Sequence, residues 1–87
     1  MNDYRFWWDE ENIDHIADHG VEPYEAEYVT RYTKSRRRGP DGKYVVLGQT
    51  ASGRYLMVVF APKTDNWVRV VTARDQTSKE KGSARKR

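Results

Sequence analysis

The chain has 87 residues, enough for one small domain with a single hydrophobic core. It contains no cysteine, which excludes disulfides and cysteine-ligated metal sites and is typical of a reducing compartment. The net charge of +3 hides an asymmetry: residues 1–28 carry nine acids and one base, whereas residues 29–87 carry four acids and fifteen bases. This asymmetry indicates a polyanionic partner, although it would also suit a dipolar protein whose charges only maintain solubility.

No segment of the sequence has the pattern of a membrane-spanning or targeting element. The longest apolar run, residues 55–61, is too short to cross a bilayer, and the N-terminus lacks the pattern of a signal peptide. We therefore expect a single domain over residues 1–87 that works in the cytoplasm and makes no contact with a membrane.

The N-terminal part of the sequence predicts a strand followed by a helix. Residues 4–8 are rich in aromatic side chains and predict an outer strand of a sheet. Asp9 has the chemistry of an N-cap, and a helix is predicted over residues 9–19 with Gly20 as its left-handed C-cap. The apolar residues spaced by three and four predict the inward face of this helix: Ile13, Ile16 and Ala17.

A second helix is predicted over residues 23–31, because Pro23 suits the first position of a helix. Tyr24, Tyr28 and Tyr32 recur every four residues. This spacing favours packing against the core over a base-stacking surface.

A meander of three strands is predicted after residues 34–42, a basic, turn-rich loop with room for a brief edge strand. The strands cover residues 43–51, 54–61 (the central strand) and 66–74. Gly48 marks a bulge or a close approach, and Ser52-Gly53 is predicted to form a two-residue hairpin turn. Alternation along the strands predicts that five side chains are buried: Val45, Leu47, Leu56, Val58 and Val70.

A short helix is predicted at the C-terminus, where Thr77 would cap it and Glu80 would complete a capping box. Gly82-Ser83 weakens helix formation, so we expect residues 81–87 to form a frayed basic tail. Together these elements predict an α+β fold. The antiparallel sheet contains the meander and the N-terminal strand, and two helices pack on one of its faces.

Four stretches, in this order and spacing, resemble the BrnT family of toxins from type II toxin–antitoxin pairs, part of the RelE-like group of ribonucleases. They are residues 6–12 (FWWDEEN), 15–21 (HIADHGV), 47–50 with 53–56 (LGQT and GRYL), and 69–74 (RVVTAR). The chain departs from the family pattern in two places. Asn12 stands where many members have a lysine, and residues 81–84 replace a usual run of arginines and a tyrosine.

The resemblance implies a RelE-like fold and metal-independent cleavage of RNA that inhibits translation. It also implies a cognate DNA-binding antitoxin, similar to BrnA, that forms a hetero-oligomer with the toxin and represses the operon with it. We expect this antitoxin to cover the basic face of the protein.

Cleavage of RNA without a metal requires fixed positive charge beside the phosphate, and arginine supplies it with a planar fork that binds two oxygens. Arg54 begins one predicted strand and Arg74 ends its antiparallel neighbour, so the two lie at the same end of the sheet. Arg69 has the opposite side-chain parity to Arg74, so a bulge or the strand end would be needed to bring them together. We therefore place Arg54 and Arg74 ahead of Arg69. The alternative role of each is a solvated charge at a strand edge.

His19 is a candidate general acid or base, or alternatively closes the C-terminus of the first helix. Glu80 is a candidate proton acceptor, and capping of the last helix is its alternative role. Glu11, His15 and His19 have a spacing that zinc sites use, but no H-E-x-x-H motif is present, so we expect neither a metal nor a cofactor.

Many bases would attract RNA phosphates without regard to sequence. The candidate RNA-binding residues are Arg36, Arg37, Arg38, Lys43, Lys79 and Lys81, with Lys34, Arg85, Lys86 and Arg87 as further bases. Solubility and disorder are the alternative explanation for these charges. Trp67 and Tyr55 could stack on bases, but we expect both to pack in the core.

Two other functions compete with the ribonuclease toxin. The first is a non-catalytic module that binds nucleic acid or an antitoxin, that is, a degenerate toxin, and the departures at Asn12 and residues 81–84 favour it. The second is a small DNA-binding regulator, but neither a helix-turn-helix nor a ribbon-helix-helix pattern is present.

Overall fold

The computed structural model of the chain describes residues 3–85, with side chains up to residue 82. The proposed roles of the Arg85 side chain and of Lys86 and Arg87 lie outside the described residues. The elements follow in this order: β1 Arg5–Phe6, α1 Glu10–Ala17, α2 Pro23–Tyr32, β2 Ser35–Arg38, β3 Tyr44–Gln49, β4 Tyr55–Pro62, β5 Trp67–Asp75 and α3 Ser78–Arg85. α3 continues past the Gly82-Ser83 pair at which we expected the helix to weaken.

One five-stranded sheet, in the order β1-β5-β4-β3-β2, forms the centre of the fold. The meander is antiparallel with β4 in the middle, which confirms the α+β fold and the central strand. One feature differs from the predicted sheet: β1 pairs in parallel with β5, through only two residues. β2, which is antiparallel to β3, is the brief edge strand for which the predicted loop had room.

α1 begins as predicted, but it buries a different face. The Asp9 carboxylate accepts from the Asn12 backbone N–H (3.1 Å), and the Asn12 side-chain oxygen accepts from the Asp9 N–H (2.8 Å). Asn12 and Ile16 are buried, whereas Ile13 and Ala17 are exposed. The predicted inward face was therefore wrong at two of its three residues. The cause is Asn12 Nδ2, which donates to the carbonyls of Trp7 and Val70 and turns this polar residue inward.

Gly20 ends the first helical region with a left-handed backbone (φ 71°), as predicted. α2 follows with Pro23 in its first turn. The prediction that the three tyrosines of α2 pack in the core was wrong, since all are exposed: Tyr24, Tyr28 and Tyr32. Their place on the inward face is taken by smaller residues that allow the helix to lie close to the sheet: Ala26, Val29 and Thr30.

Gly48 is the point of closest approach between α2 and β3, which confirms the predicted close approach. A Cβ built on Gly48 would lie 3.0 Å from atoms of both Val29 and Thr33. Four of the five residues predicted to be buried are buried, but Val45 is only half-buried. Val46 is fully buried instead, because it faces the helices while Val45 points to the other side of the sheet.

The two faces of the sheet carry different elements. α1 and α2 cover the face that holds the main core, with Val46, Leu56 and Val58 among its members, and we call this the helical face. α3 lies against the opposite face, which we call the α3 face, where its Lys79 and Glu80 adjoin side chains of β2 and β3. Both faces of the central strand are therefore covered, at least in part.

Two parts of the meander depart from regular geometry: the loop between β3 and β4, and the pairing of β4 with β5. The β3–β4 loop has three residues, 51–53, between the paired Thr50 and Arg54, and not the predicted two-residue turn. Gly53 adopts φ 98° within it, which adds a residue to the turn. The β4–β5 pairing contains a bulge, because Val59 faces Thr72 while Phe60 faces Val70.

The Gly48 contact makes a stability prediction. We expect Gly48→Ala to lower the free energy of unfolding by about 1–3 kcal/mol, because the new methyl group must push α2 away from β3. Gly82→Ala is the matched control: it places a methyl group in open space on α3 and should raise stability by about 0.4–1 kcal/mol. Urea denaturation followed by circular dichroism measures both, and equal effects would contradict the close approach.

Candidate functional site

Arg54, a candidate catalytic residue, is held by four hydrogen bonds on the helical face. Its Nε donates to Asp75 (2.8 Å), its Nη1 to Glu25 (3.1 Å) and the Gly20 carbonyl, and its Nη2 to the His19 carbonyl. The Asp75 carboxylate raises the pKa of Arg54, and Arg54 in turn lowers the pKa of Asp75. Four of the five guanidinium N–H groups are thus engaged inside the protein, which makes Arg54 a clamp between the end of α1, α2 and β5.

Arg74, the second candidate, lies on the α3 face and is engaged differently. Nη1 and Nη2 donate to the two carboxylate oxygens of Glu80 at 2.9 and 3.0 Å, and Nη1 also donates to the Asp75 carbonyl. Within residues 3–85, Nε and the second N–H of Nη2 have no acceptor, and the side chain is 36% exposed. One bidentate edge of the guanidinium therefore remains open to an anion.

Glu80 both binds Arg74 and caps α3. Its Oε1 accepts from the Thr77 backbone N–H (2.9 Å), while the Thr77 hydroxyl accepts from the Glu80 N–H (3.1 Å), which confirms the predicted capping box. The guanidinium of Arg74 lowers the pKa of Glu80, so the group is a carboxylate at neutral pH. The capping role and the contact with Arg74 are compatible, since different lone pairs serve each.

Arg69 lies apart from the other two arginines, beside the start of α1. Its guanidinium binds the carboxylates of Asp9 and Glu11. Asp9 raises the pKa of Arg69, and Arg69 lowers the pKa of Asp9. Around this ion pair lies an open cleft of about 560 Å³ that also contains Asp14 and Asp18, so the surroundings of Arg69 disfavour a phosphate.

The bulge in β5 decides which arginines share a face. Because of it, Arg74 pairs with Met57, which points to the α3 face, whereas Arg54 contacts the helices on the opposite face. A bulge-free pairing would put Arg74 opposite Leu56 and on the same face as Arg54. The two arginines lie at the same end of the sheet, as expected, but on opposite faces, and both donate a hydrogen bond to Asp75.

A cleft of about 190 Å³ opens beside the Arg74–Glu80 pair, between α3 and the edge strand β2. We call it the α3 cleft, and its lining is Ser35, Arg37, Val45, Leu47, Lys79 and Glu80. It combines two cations and the Glu80 carboxylate with an apolar floor. Ser35 was missed by the sequence analysis, and its only signal is its position two residues before Arg37 on the same face of β2.

The other predicted RNA-binding residues are not gathered at one place. Arg36 pairs with Val46 and lies on the opposite side of β2, where it binds the Tyr4 hydroxyl and lies over the Tyr44 ring. Arg38 has the same parity as Arg36. Lys81 lies over the ring of Tyr55, 5.7 Å from its centroid. Lys43 is not part of the α3 cleft.

The two histidines lie on α1 and just after it, and His15 contacts Thr72, which lies two residues from Arg74 on the same side of β5. The rings of His15 and His19 are 5.8 Å apart, and His15 Nε2 is 3.1 Å from the Thr72 hydroxyl. Among residues 3–85, no group of three His, Cys, Asp or Glu side chains is arranged to hold a metal ion. The backbone carbonyl of His19 accepts a hydrogen bond from Arg54, which brings these two candidate residues together.

A second, apolar cleft of about 470 Å³ lies at the β1 end of the sheet. Trp7 and Trp67 meet there edge to face at 6.4 Å, and both are exposed, so the expectation that Trp67 packs in the core was wrong. Tyr55 is half-buried. No helix in the described part of the chain is long and apolar enough to cross a membrane.

Comparison with known proteins adds one match. A family model described as the ribonuclease toxin BrnT of type II toxin–antitoxin systems matches residues 7–80. No curated protein matches the chain.

The ion pair of α3 makes stability depend on pH. Because Arg74 lowers the pKa of Glu80, the pair stabilises the fold above the ordinary carboxyl pKa, and this contribution is lost as pH falls through the lower folded value. At pH 7 we expect Glu80→Gln to lower the melting temperature by about 1–5 °C. The difference from the parent should disappear in acid.

Asp3→Asn is the control, because Asp3 is exposed and makes none of the ion pairs found in the described chain. Thermal unfolding at pH 7 and pH 2.5 separates the two variants. A Glu80→Gln difference that persists unchanged at pH 2.5 would show that the ion pair is not its source.

Proposed function

Because the chain belongs to the BrnT family of ribonuclease toxins of type II toxin–antitoxin systems, it is an RNA-cleaving enzyme with a cognate antitoxin, and we propose that it is a metal-independent endoribonuclease that inhibits translation in the cytoplasm. The observation that supports this proposal is the Arg74–Glu80 pair, which presents an open guanidinium edge and a carboxylate beside a cationic cleft.

In the proposed reaction, the 2′-oxygen of one nucleotide attacks the adjacent phosphorus. The bond from phosphorus to the 5′-oxygen breaks, which leaves a cyclic phosphate and a 5′-hydroxyl. Glu80 accepts the proton of the attacking hydroxyl, and the leaving oxygen takes a proton from solvent. Arg74 binds two phosphate oxygens through its Nε and Nη2 edge while Glu80 stays on the other edge.

The open edge of Arg74 supplies charge where the transition state needs it. As the phosphorane forms, negative charge grows on the oxygens that face the guanidinium, and a fixed arginine stabilises this charge without reorganisation. A nearby phosphate also opposes the effect of Arg74 on Glu80 and makes its carboxylate a better proton acceptor. Arg37 and Lys79 would hold the neighbouring RNA, with Lys81 at the margin of this surface.

Arg54, Arg69 and His19 take positioning roles in this proposal. Arg54 has one N–H group without a partner in residues 3–85 and ties α2 to β5, so its loss should act through stability. Arg69 holds the start of α1 through Asp9. His19 remains a candidate acid or base only if RNA also reaches the helical face.

We further propose that the antitoxin is a DNA-binding protein similar to BrnA that forms a hetero-oligomer with this chain and covers the α3 face. Its affinity would come from a few apolar or aromatic anchors, with charge complementarity setting the association rate.

Substitution of the arginines tests the site. We expect Arg74→Ala to lower cleavage of a single-substrate RNA by about 100-fold or more, because one electrostatic stabiliser is removed. Lysine at this position should restore activity only in part, because an ammonium cannot bind Glu80 and two phosphate oxygens together. Arg38→Ala is the control, since it removes the same charge from the opposite side of β2.

Arg54→Ala should instead lower the melting temperature and leave cleavage per folded molecule within about tenfold of the parent. EDTA should not change the rate of the parent. If Arg74→Ala cuts as fast as the parent and Arg54→Ala does not, the site lies on the helical face with His19. A parent that cuts no RNA, even with ribosomes present, but binds it tightly would support the non-catalytic binding module.

A further inference from the structure

The Ser35 hydroxyl is a buried polar group that the fold does not use. Ser35 is 8% exposed, and its Oγ has no hydrogen-bond partner among the described residues. Its backbone, in contrast, is fixed by pairing with Leu47 and by an N–H bond to the Thr33 hydroxyl (3.1 Å). Native proteins pair most buried polar side-chain atoms, so an unused hydroxyl in a cleft indicates a ligand group that arrives from outside.

The cations around Ser35 define the chemistry of that ligand. Arg37 lies two residues further along the same face of β2, and Lys79 adjoins it from α3. Both donate hydrogen bonds and carry positive charge, while the hydroxyl adds a neutral donor. Val45 and Leu47 supply an apolar floor that strengthens contacts to a charged group. Three donors with two positive charges suit a phosphate, and the carboxylate of Glu80, which also lines the cleft, is bound by Arg74.

The position of Ser35 relative to Arg74 follows from the strand register. Ser35 pairs with Leu47, Leu47 with Met57, and Met57 with Arg74, so the four residues form one row across the sheet on the α3 face. Three strand spacings put Ser35 about 14 Å from Arg74. One phosphate cannot span this distance, whereas successive phosphates of one strand can.

The geometry points to Ser35, Arg37 and Lys79 as a second phosphate-binding subsite, which holds a non-scissile phosphate of the RNA that is cut at Arg74. The inference rests on the proposed function, since it takes Arg74 and Glu80 as the site of cleavage. In it the RNA strand reaches the two ends of the row, at Ser35 and at Arg74, while the middle members Leu47 and Met57 are buried. Ser35 binds and positions the substrate and takes no part in the chemistry.

Binding of an uncleavable probe tests the subsite separately from cleavage. A single-stranded 2′-O-methyl RNA oligonucleotide lacks the attacking hydroxyl, and fluorescence anisotropy measures its dissociation constant. Ser35→Ala should weaken binding about tenfold, the scale of a hydrogen bond to a charged group. Its melting temperature should stay the same or rise, because no internal hydrogen bond is lost. Ser78→Ala, an exposed serine outside the cleft lining, should bind as the parent does.

Arg37→Gln and Arg38→Gln form a matched pair, because they remove equal charge from opposite sides of β2. Arg37→Gln should weaken binding and reduce the slope of log affinity against log salt by about 1, whereas Arg38→Gln should change neither appreciably. A DNA oligonucleotide of the same sequence should show the same losses. A loss confined to the 2′-O-methyl RNA would place Ser35 against the sugar and overturn the phosphate assignment.

Three further results would overturn the inference: Ser35→Ala binding as the parent does, equal effects of Arg37→Gln and Arg38→Gln, or a parent that does not bind the probe.

Cleavage of natural RNA separates this inference from the proposed function. Ser35→Ala should raise KM and leave kcat unchanged, whereas Arg74→Ala should lower kcat. If Arg74→Ala cuts normally but the Ser35 and Arg37 variants bind weakly, the cleavage site is wrong and the subsite stands. The reverse pattern rejects the subsite alone.

Discussion

The Asn12 side chain is the interaction on which the arrangement of the N-terminal half depends. Its amide nitrogen donates to the carbonyls of Trp7 and Val70, and its oxygen accepts from the Asp9 backbone. One buried side chain thus caps α1, fixes the exit from β1 and joins both to β5. Because an unpaired buried carbonyl is costly, the orientation of α1 follows from this residue more than from its apolar positions.

The uneven distribution of charge along the sequence is partly cancelled inside the fold. Acids from the first 28 residues neutralise two arginines of the second part, since Glu25 binds Arg54 and Asp9 binds Arg69. These pairs connect the helical layer to the sheet. On the α3 face, in contrast, Arg74 binds Glu80, an acid from the late part of the chain. The basic surface is therefore smaller than the charge distribution along the sequence suggests. Its extent depends on which face of each strand the basic side chains occupy.

Local signals in the sequence predicted local structure well. The N-cap at Asp9, the left-handed Gly20, the capping box at Thr77 and the close approach at Gly48 each depend on residues near in sequence or on backbone sterics. The candidate site, in contrast, depends on how β4 and β5 pair, and one extra residue in β5 changes that pairing. The bulge near Val59 moves Arg74 to the other face from Arg54, and no local pattern encodes it. The prediction from the tyrosine spacing on α2 was also wrong, because a stripe of tyrosines has the same period whether it faces the core or the solvent.

The three consecutive arginines of β2 also bear on how the protein behaves at high concentration. β2 is the last strand in the sheet order, so one edge of its backbone has no neighbouring strand in the described chain. Such an edge can pair with the edge of a second molecule and start an aggregate, and repeated positive charge along it opposes this pairing. A ribonuclease released from its antitoxin would lose any cover that the partner gives to this strand. The arginines that flank Arg37 on β2 would then keep the free molecules apart, whatever their contribution to RNA binding.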